Sequence, residues 1–334
     1  MRTPSSRLLV LALLAAVVFA APAHGDGGPS PGVSLGDKSI AASNGTSYAT
    51  EPAGNLSTLV VRNRSGRILR TRTFDAAYGV PRVTYGSVLG GLSRDGRTLI
   101  LAEAQQGGGL ALASRLLVID TRTLHTRRQI DLAGDFSFDA LSPDARMLFL
   151  IQHSSARDYE RYRVRAYDLV RGRLLPQAIV DKTEPNMRGY PTARLEGSGG
   201  GWVYTLYMHP GGEPFVHALD TEHARARCLD IDWHGNQMLL WSARLKLGGG
   251  QLAVLLKGGK QIASLELESR SAGGFPVGWS AALVALALAF AGTALVLRQG
   301  RGRPRLRVGR LAIHRPWSST RPSGARTPTR FGSD

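Results

Sequence analysis

The chain has 334 residues, is 43% hydrophobic and 20% charged, and carries a formal net charge of +17. That balance excludes a wholly disordered chain, and a single cysteine, Cys228, excludes a disulfide framework or a cysteine-based metal site. A charge this high raises nucleic-acid binding as a possibility, so the position of the arginines along the chain matters.

Met1 to Arg7 is a short basic leader, followed by an apolar run of 14 residues from Leu8 to Ala21. Ala21-Pro22-Ala23 is a small-x-small cleavage signal, with Ala23-His24-Gly25 as a second option. Together these three parts predict a secretory signal peptide over 1–25. A Gly/Pro/Ser-rich stretch follows, and 26–39 reads as a flexible segment. Near the other end, 27 consecutive residues from Ser271 to Leu297 carry no charge. Their apolar part is long enough, at ~1.5 Å per residue, to cross a bilayer's hydrocarbon core of ~30 Å, which predicts a transmembrane helix over 275–297.

The tail, 298–334, holds ten arginines and one acid, Asp334. Basic flanks stay on the cytoplasmic side, so the expected topology is a single pass of the cell membrane, N-terminus outside and C-terminus inside. The tail lacks the apolar mass for a core and reads as disordered, with contact to anionic lipid or a cytoplasmic protein as its expected roles. The tail and leader account for most of the net charge, leaving about +6 for the exported part. Nucleic acid is therefore not an expected partner. Arg-, Ala- and Gly-rich usage with few lysines points to a high-GC bacterial coding sequence. In that setting the Asn-x-Ser/Thr triplets at Asn44, Asn55 and Asn63 are incidental.

Between these segments the chain is a series of short apolar runs separated by turn residues, which are strand signals. Leu92-Ser93-Arg94-Asp95-Gly96-Arg97-Thr98-Leu99-Ile100-Leu101 aligns with Leu141-Ser142-Pro143-Asp144-Ala145-Arg146-Met147-Leu148-Phe149-Leu150. A third copy, Leu195 to Tyr204, has lost the Ser-Pro-Asp corner. Each reads as strand, tight turn, strand. A second motif follows each copy: Leu117-Val118-Ile119-Asp120-Thr121, then Arg165-Ala166-Tyr167-Asp168-Leu169, then His217-Ala218-Leu219-Asp220-Thr221. Its aspartates are 48 and 52 positions apart. Four strands in ~50 residues is the period of a propeller blade. Five acids (Asp95, Asp120, Asp144, Asp168 and Asp220) recur at equivalent turn positions, where an acid caps the turn by accepting backbone N–H bonds.

The pattern Ser-Pro-Asp-x-Arg-x-Leu-x-Leu followed by Val-x-Asp-Thr resembles the YVTN-type and related WD-like propellers of exported, membrane-anchored bacterial proteins. Ala145 departs from it, standing where the turn glycine is usual. The resemblance implies an all-β fold over 40–270, a β-propeller of about five four-stranded blades. Leu56 to Leu69 fits the back half of a first blade. Met238–Trp241, Ala243–Leu247, Gln251–Leu256 and Gln261–Leu267 fit a compact final sheet.

For function, the sequence contains no nucleophile elbow, phosphate loop or His-Glu-x-x-His. His209, His217, His223 and His234 lie near Asp220, Asp230 and Asp232, but their spacing matches no ligand pattern, so neither a metal nor a cofactor is expected. Two loops are longer than a blade turn requires, Asp181 to Pro191 and Ser154 to Tyr162. The weak ligand-binding candidates are Glu184, Arg188, Tyr190 and Glu213, the alternative being Pro-braced turns packed on neighbouring blades. The leading expectation is a cell-surface ectodomain that binds or scaffolds a protein, peptide or envelope ligand. Two alternatives are a single-span sensor and a propeller-type hydrolase or lactonase, the last requiring titratable groups that converge at the ring's axis.

Overall fold

The structure is a computed structural model, and it describes residues 30–105, 108–181 and 187–267. The expected signal peptide, membrane span and tail lie outside the described residues. Among the described residues no helix is long and apolar enough to cross a membrane.

The fold is all-β and propeller-like, with five antiparallel sheets following one another along the chain. A two-residue strand, β1 (Val33–Ser34), comes first. The first sheet is β2 (Ile40–Ala41), β3 (Ser47–Ala53), β4 (Leu56–Arg62) and β5 (Ile68–Phe74). The second is β6 (Tyr78–Pro81), β7 (Thr98–Glu103), β8 (Ala113–Asp120) and β9 (Thr126–Ala133), with β1 added beside β6. The third is β10 (Asp135–Leu141), β11 (Met147–His153), β12 (Tyr162–Asp168) and β13 (Arg173–Ile179). The fourth is β14 (Tyr190–Glu196), β15 (Trp202–Met208), β16 (Phe215–Asp220) and β17 (Arg225–Asp230). The fifth has three strands, β18 (Arg244–Gly248), β19 (Gln251–Leu255) and β20 (Gln261–Glu266).

The apolar runs are continuous because both faces of a middle sheet are buried. Successive side chains on a strand point to opposite faces. In β7, Leu99 and Leu101 join the core shared with the first sheet, while Ile100 joins the core shared with the third. In β11, Leu148 and Leu150 face the second sheet, and Phe149 and Ile151 face the fourth. Four buried clusters join the five sheets in sequence, and among the described residues none of them joins the fifth to the first. Truncating one of these fully buried leucines to Ala costs about 2–5 kcal/mol.

Three details go beyond the sequence expectation or correct it. Within the stretch 26–39, whose residues 26–29 lie outside the described ones, Val33 and Ser34 pair with Pro81 and Val80 of β6. Thr50 Oγ1 also donates to the Ser34 carbonyl, which ties this segment to the first sheet. Met238–Trp241 lies in a 3-10 helix, Gln237–Ser242, and not in a strand. The Asn236 side chain caps it by accepting from Met238 N–H at 3.0 Å, turning the chain before β18. The inner strand of the second sheet is also interrupted. Between β6 and Leu92 the chain makes a hairpin, with Arg82 bridged to Leu89 and Val83 N–H bonded to Val88 O.

Candidate functional site

The sheets have two unlike ends. At one end the turns are short and capped. Ser93 Oγ donates to Asp95 Oδ1 at 2.6 Å, and that same oxygen accepts from Arg97 N–H. The second copy repeats this bond for bond, with Ser142, Asp144 and Arg146 in the same roles. Burial raises both carboxyls, but the serine hydroxyl and backbone N–H bonds more than offset it, leaving Asp95 and Asp144 below the usual carboxylate range. Asp120, Asp168 and Asp220 each accept from two backbone N–H groups in the neighbouring turns. The Arg127 guanidinium brings Asp120 down to about 2. Thr121 and Thr221 donate to Gly96 O and Gly200 O, joining each outer turn to the inner one. The repeated aspartates are therefore turn caps.

At the other end five connections are long, 104–112, 154–161, 180–189, 209–214 and 231–243, beside short ones such as 54–55 and Gly134. Of the sequence candidates, Glu184 lies outside the described residues. Arg188 is exposed and pairs with Asp158 at 3.1 Å, across from the third sheet's loop. Backbone bonds from Tyr162 N–H to Met187 O and from Gly189 N–H to Glu160 O close the same two loops together. Tyr190, two positions on, is half-buried at the start of β14, and burial raises its phenol pKa. Its ring meets Tyr85 edge-on at 5.9 Å.

Glu213 belongs to a different group. Its carboxylate gathers with Asp232 and His234, the three ligand atoms lying within 4.8 Å of one another, all on exposed residues. His234 Nε2 is 3.2 Å from Asp232 Oδ1. Gln237 braces this corner by bonding His209 N–H, His209 O and Gly212 O. A second three-residue group, Asp220, Glu222 and His223, could also offer metal donors, but its Asp220 carboxylate already accepts from the turn N–H groups and Arg225. The four histidines read together in sequence are thus separated in space by role. His217 is fully buried in the fourth sheet, where burial lowers its pKa to about 4.

Two arrangements were not legible in the sequence. The hairpin of the second sheet reaches across to the fourth. Tyr85 N–H donates to Pro191 O at 3.0 Å, and the Tyr85 ring also meets Trp241 at 5.6 Å. The hairpin passes so near the fourth sheet that a Cβ on Gly86 would sit 2.8 Å from Thr192 O. Ser87 turns it with φ 66°. Second, Asp135, His153 and Tyr162 stand opposite one another across β10, β11 and β12. Tyr162 stacks on Tyr207 at 4.9 Å, and His153 Nδ1 is 3.6 Å from Asp135 Oδ1. Arg82 from the hairpin shares with His153 and Tyr162 a cavity of only 10 Å³, room for about one water molecule. Beside it, Arg194 Nη1 and Nη2 donate to Asp139 Oδ1 and Asp139 O, both at 2.7 Å, with both side chains buried.

No family model matches the chain, and no curated protein matches it. Several solved propellers are similar in part. The β-propeller domain of Swd1 from Myceliophteria thermophila is 12% identical with a TM-score of 0.39, covering 69% of this chain and 63% of that one. TolB from Acinetobacter baumannii is 13% identical with a TM-score of 0.37, covering 66% and 53%. The Dos1 propeller is 12% identical with a TM-score of 0.39, covering 68% and 56%. The chain thus spans just over half to about three-fifths of these structures. At such scores the likeness bears on neither ligand nor activity, and the architecture rests on the five sheets themselves.

Proposed function

We propose that this chain is an exported, membrane-anchored binding module whose long-loop end recognises a protein, peptide or envelope ligand. One observation supports this most. Leu112 is 94% exposed, Met238 63% and Leu239 48%, all on connections at the long-loop end, while Ile68 at 53% and Val170 at 58% stand out singly at the short-turn end. The first three lie at the same end as the charged groups Arg188–Asp158 and Glu213–Asp232–His234. Apolar side chains held out on loops, with charge around them, are the makeup of an interaction surface.

The attachment geometry fits this reading. β20 runs from Gln261 to Glu266, which pairs with Gln251 beside the Gly249-Gly250 turn at the short-turn end. Whatever follows residue 267 is therefore joined at that end, and the long-loop end is the one farther from the attachment point. The hydrolase alternative needs axial titratable groups open to a substrate. The row Asp135, His153 and Tyr162 is buried over a cavity of 10 Å³, too small to admit a substrate to these three groups.

Topology is tested with a membrane-impermeant thiol reagent on intact cells, in a Cys228→Ala background. Leu112→Cys should label at once and Thr320→Cys only after lysis; the reverse pattern sinks the anchored reading. Binding is tested by capture from the cell envelope with the full chain. The variant Leu112→Ser/Met238→Ser/Leu239→Ser should lose the captured ligand while keeping its melting temperature. Undiminished capture would show that the ligand sits elsewhere.

A further inference from the structure

The short-turn end is capped but not closed at its centre. Turns from four sheets surround a cavity of about 390 Å³ that opens at this end. That size lies within the ~300–1,000 Å³ of small-molecule sites. Its lining mixes apolar side chains, Leu89 and Leu92 from the second sheet and Phe138 and Leu141 from the third, with Ser93, Ser142 and the Arg194 guanidinium that Asp139 already holds. Leu89 ends the hairpin whose Tyr85 is held against the fourth sheet, so the hairpin backs the cavity from within.

Two charged side chains stand at the rim, Arg94 and Glu196, both exposed. Arg94 reaches from the second sheet to the fourth sheet's turn, where a Cβ on Gly200 would lie 3.2 Å from Arg94 Nη1. Among the described residues neither side chain makes a hydrogen bond or an ion pair, and they are not paired with each other. Opposite charges held apart beside the apolar side chains Leu92 and Leu141 are each left for a ligand group. A ligand bearing a single charge would satisfy one of them and set itself against the other, which is how such a site discriminates.

We propose that this cavity binds a small amphoteric molecule with an apolar body, the chemistry of an apolar amino acid or dipeptide. Its carboxylate meets the Arg94 guanidinium, its ammonium meets the Glu196 carboxylate, and its side chain lies on Leu92 and Leu141. The site is separate from the long-loop surface, and the two stand or fall independently.

The test is calorimetric titration of the purified full chain with L-leucine, leucyl-leucine, N-acetyl-leucyl-leucine and leucyl-leucinamide. Leucine or leucyl-leucine should give saturable one-to-one binding, and which of the two binds tells a free amino acid from a peptide. Acetylation or amidation should weaken leucyl-leucine at least tenfold. Arg94→Gln should erase the penalty of amidation, and Glu196→Gln that of acetylation, both with unchanged melting temperature. Ala41→Trp, which places a large ring at the exposed mouth, should abolish binding. The proposal is overturned if neither amino acid nor dipeptide saturates, if capped and uncapped dipeptides bind alike, or if Ala41→Trp leaves binding intact.

Discussion

The short-turn end and the long-loop end of the same sheets are built from opposite materials. The first is a set of repeated serine and aspartate oxygens that accept from backbone N–H groups within a few residues, with threonines that donate to a carbonyl of the neighbouring turn. The second is irregular, closed by loop-to-loop contacts such as Arg188–Asp158 and Gly189 N–H to Glu160 O, and it leaves leucine and methionine in solvent. Local bonds repeat because neighbouring sheets share the same turn. The loop-to-loop contacts repeat nowhere, and that lack of repetition marks the end released from structural duty.

Substitutions should separate the two ends, with the inter-sheet core between them setting the upper limit of effect. Removing Arg194 leaves the buried Asp139 carboxylate without its partner, and Arg194→Ala should cost about 3–5 kcal/mol in chemical denaturation. Replacing both, Asp139→Leu/Arg194→Met, should recover most of that loss. If the single and double variants are equally unstable, the pair is not the cause.

His217 gives the next effect. It is buried among Asp139, Arg194, Tyr207 and Asp181, and both ring nitrogens lack a hydrogen-bond partner. Its folded pKa, about 4, lies below the ordinary 6.5, so the unfolded chain binds the proton more readily. Stability from the neutral ring is complete above pH 6.5 and is lost as pH falls towards 4, by about 3 kcal/mol in all. His217→Phe should remove this slope in a denaturant midpoint followed against pH. The capping carboxylates, with pKa values lowered from 3.8, act only in a more acid window. An identical slope in the variant would clear His217 of the role.

At the short-turn end, Asp168→Ala frees the Val170 and Arg171 N–H groups and should lower the denaturation midpoint by less than either change above. Ala145 sits at φ 53°, where the equivalent Gly96 has φ 68°. Ala145→Gly should therefore stabilise by about 1 kcal/mol, visible as a raised melting temperature. At the long-loop end, Met238→Ser and Leu239→Ser should each change stability by less than about 0.5 kcal/mol while weakening ligand capture.

Much of this contrast was legible in the sequence, for a physical reason. Turn caps need fixed residue types at fixed offsets, so Asp95, Asp120, Asp144, Asp168 and Asp220 announced both the turns and the period. The apolar runs announced sheets buried on two faces. Met238–Trp241 misled because its apolar residues resemble a strand, while the deciding signal was a single Asn at position 236. The hairpin Arg82–Leu89 was hidden because its partners, Pro191 and Trp241, are more than a hundred residues away. Arg188 and Tyr190 do share a segment, but Glu213 turns to Asp232 and His234, an association no spacing rule predicts.

A photo-cross-linking amino acid placed in turn at 112, 239, 68 and 170 of the full chain in living cells compares the ends directly. Leu112, Leu239, Ile68 and Val170 are all exposed, so reactivity alone does not separate them. One discrete cross-linked species is expected from 112 and 239 and none from 68 or 170. The same species from 170, or none from 112 and 239, would contradict it.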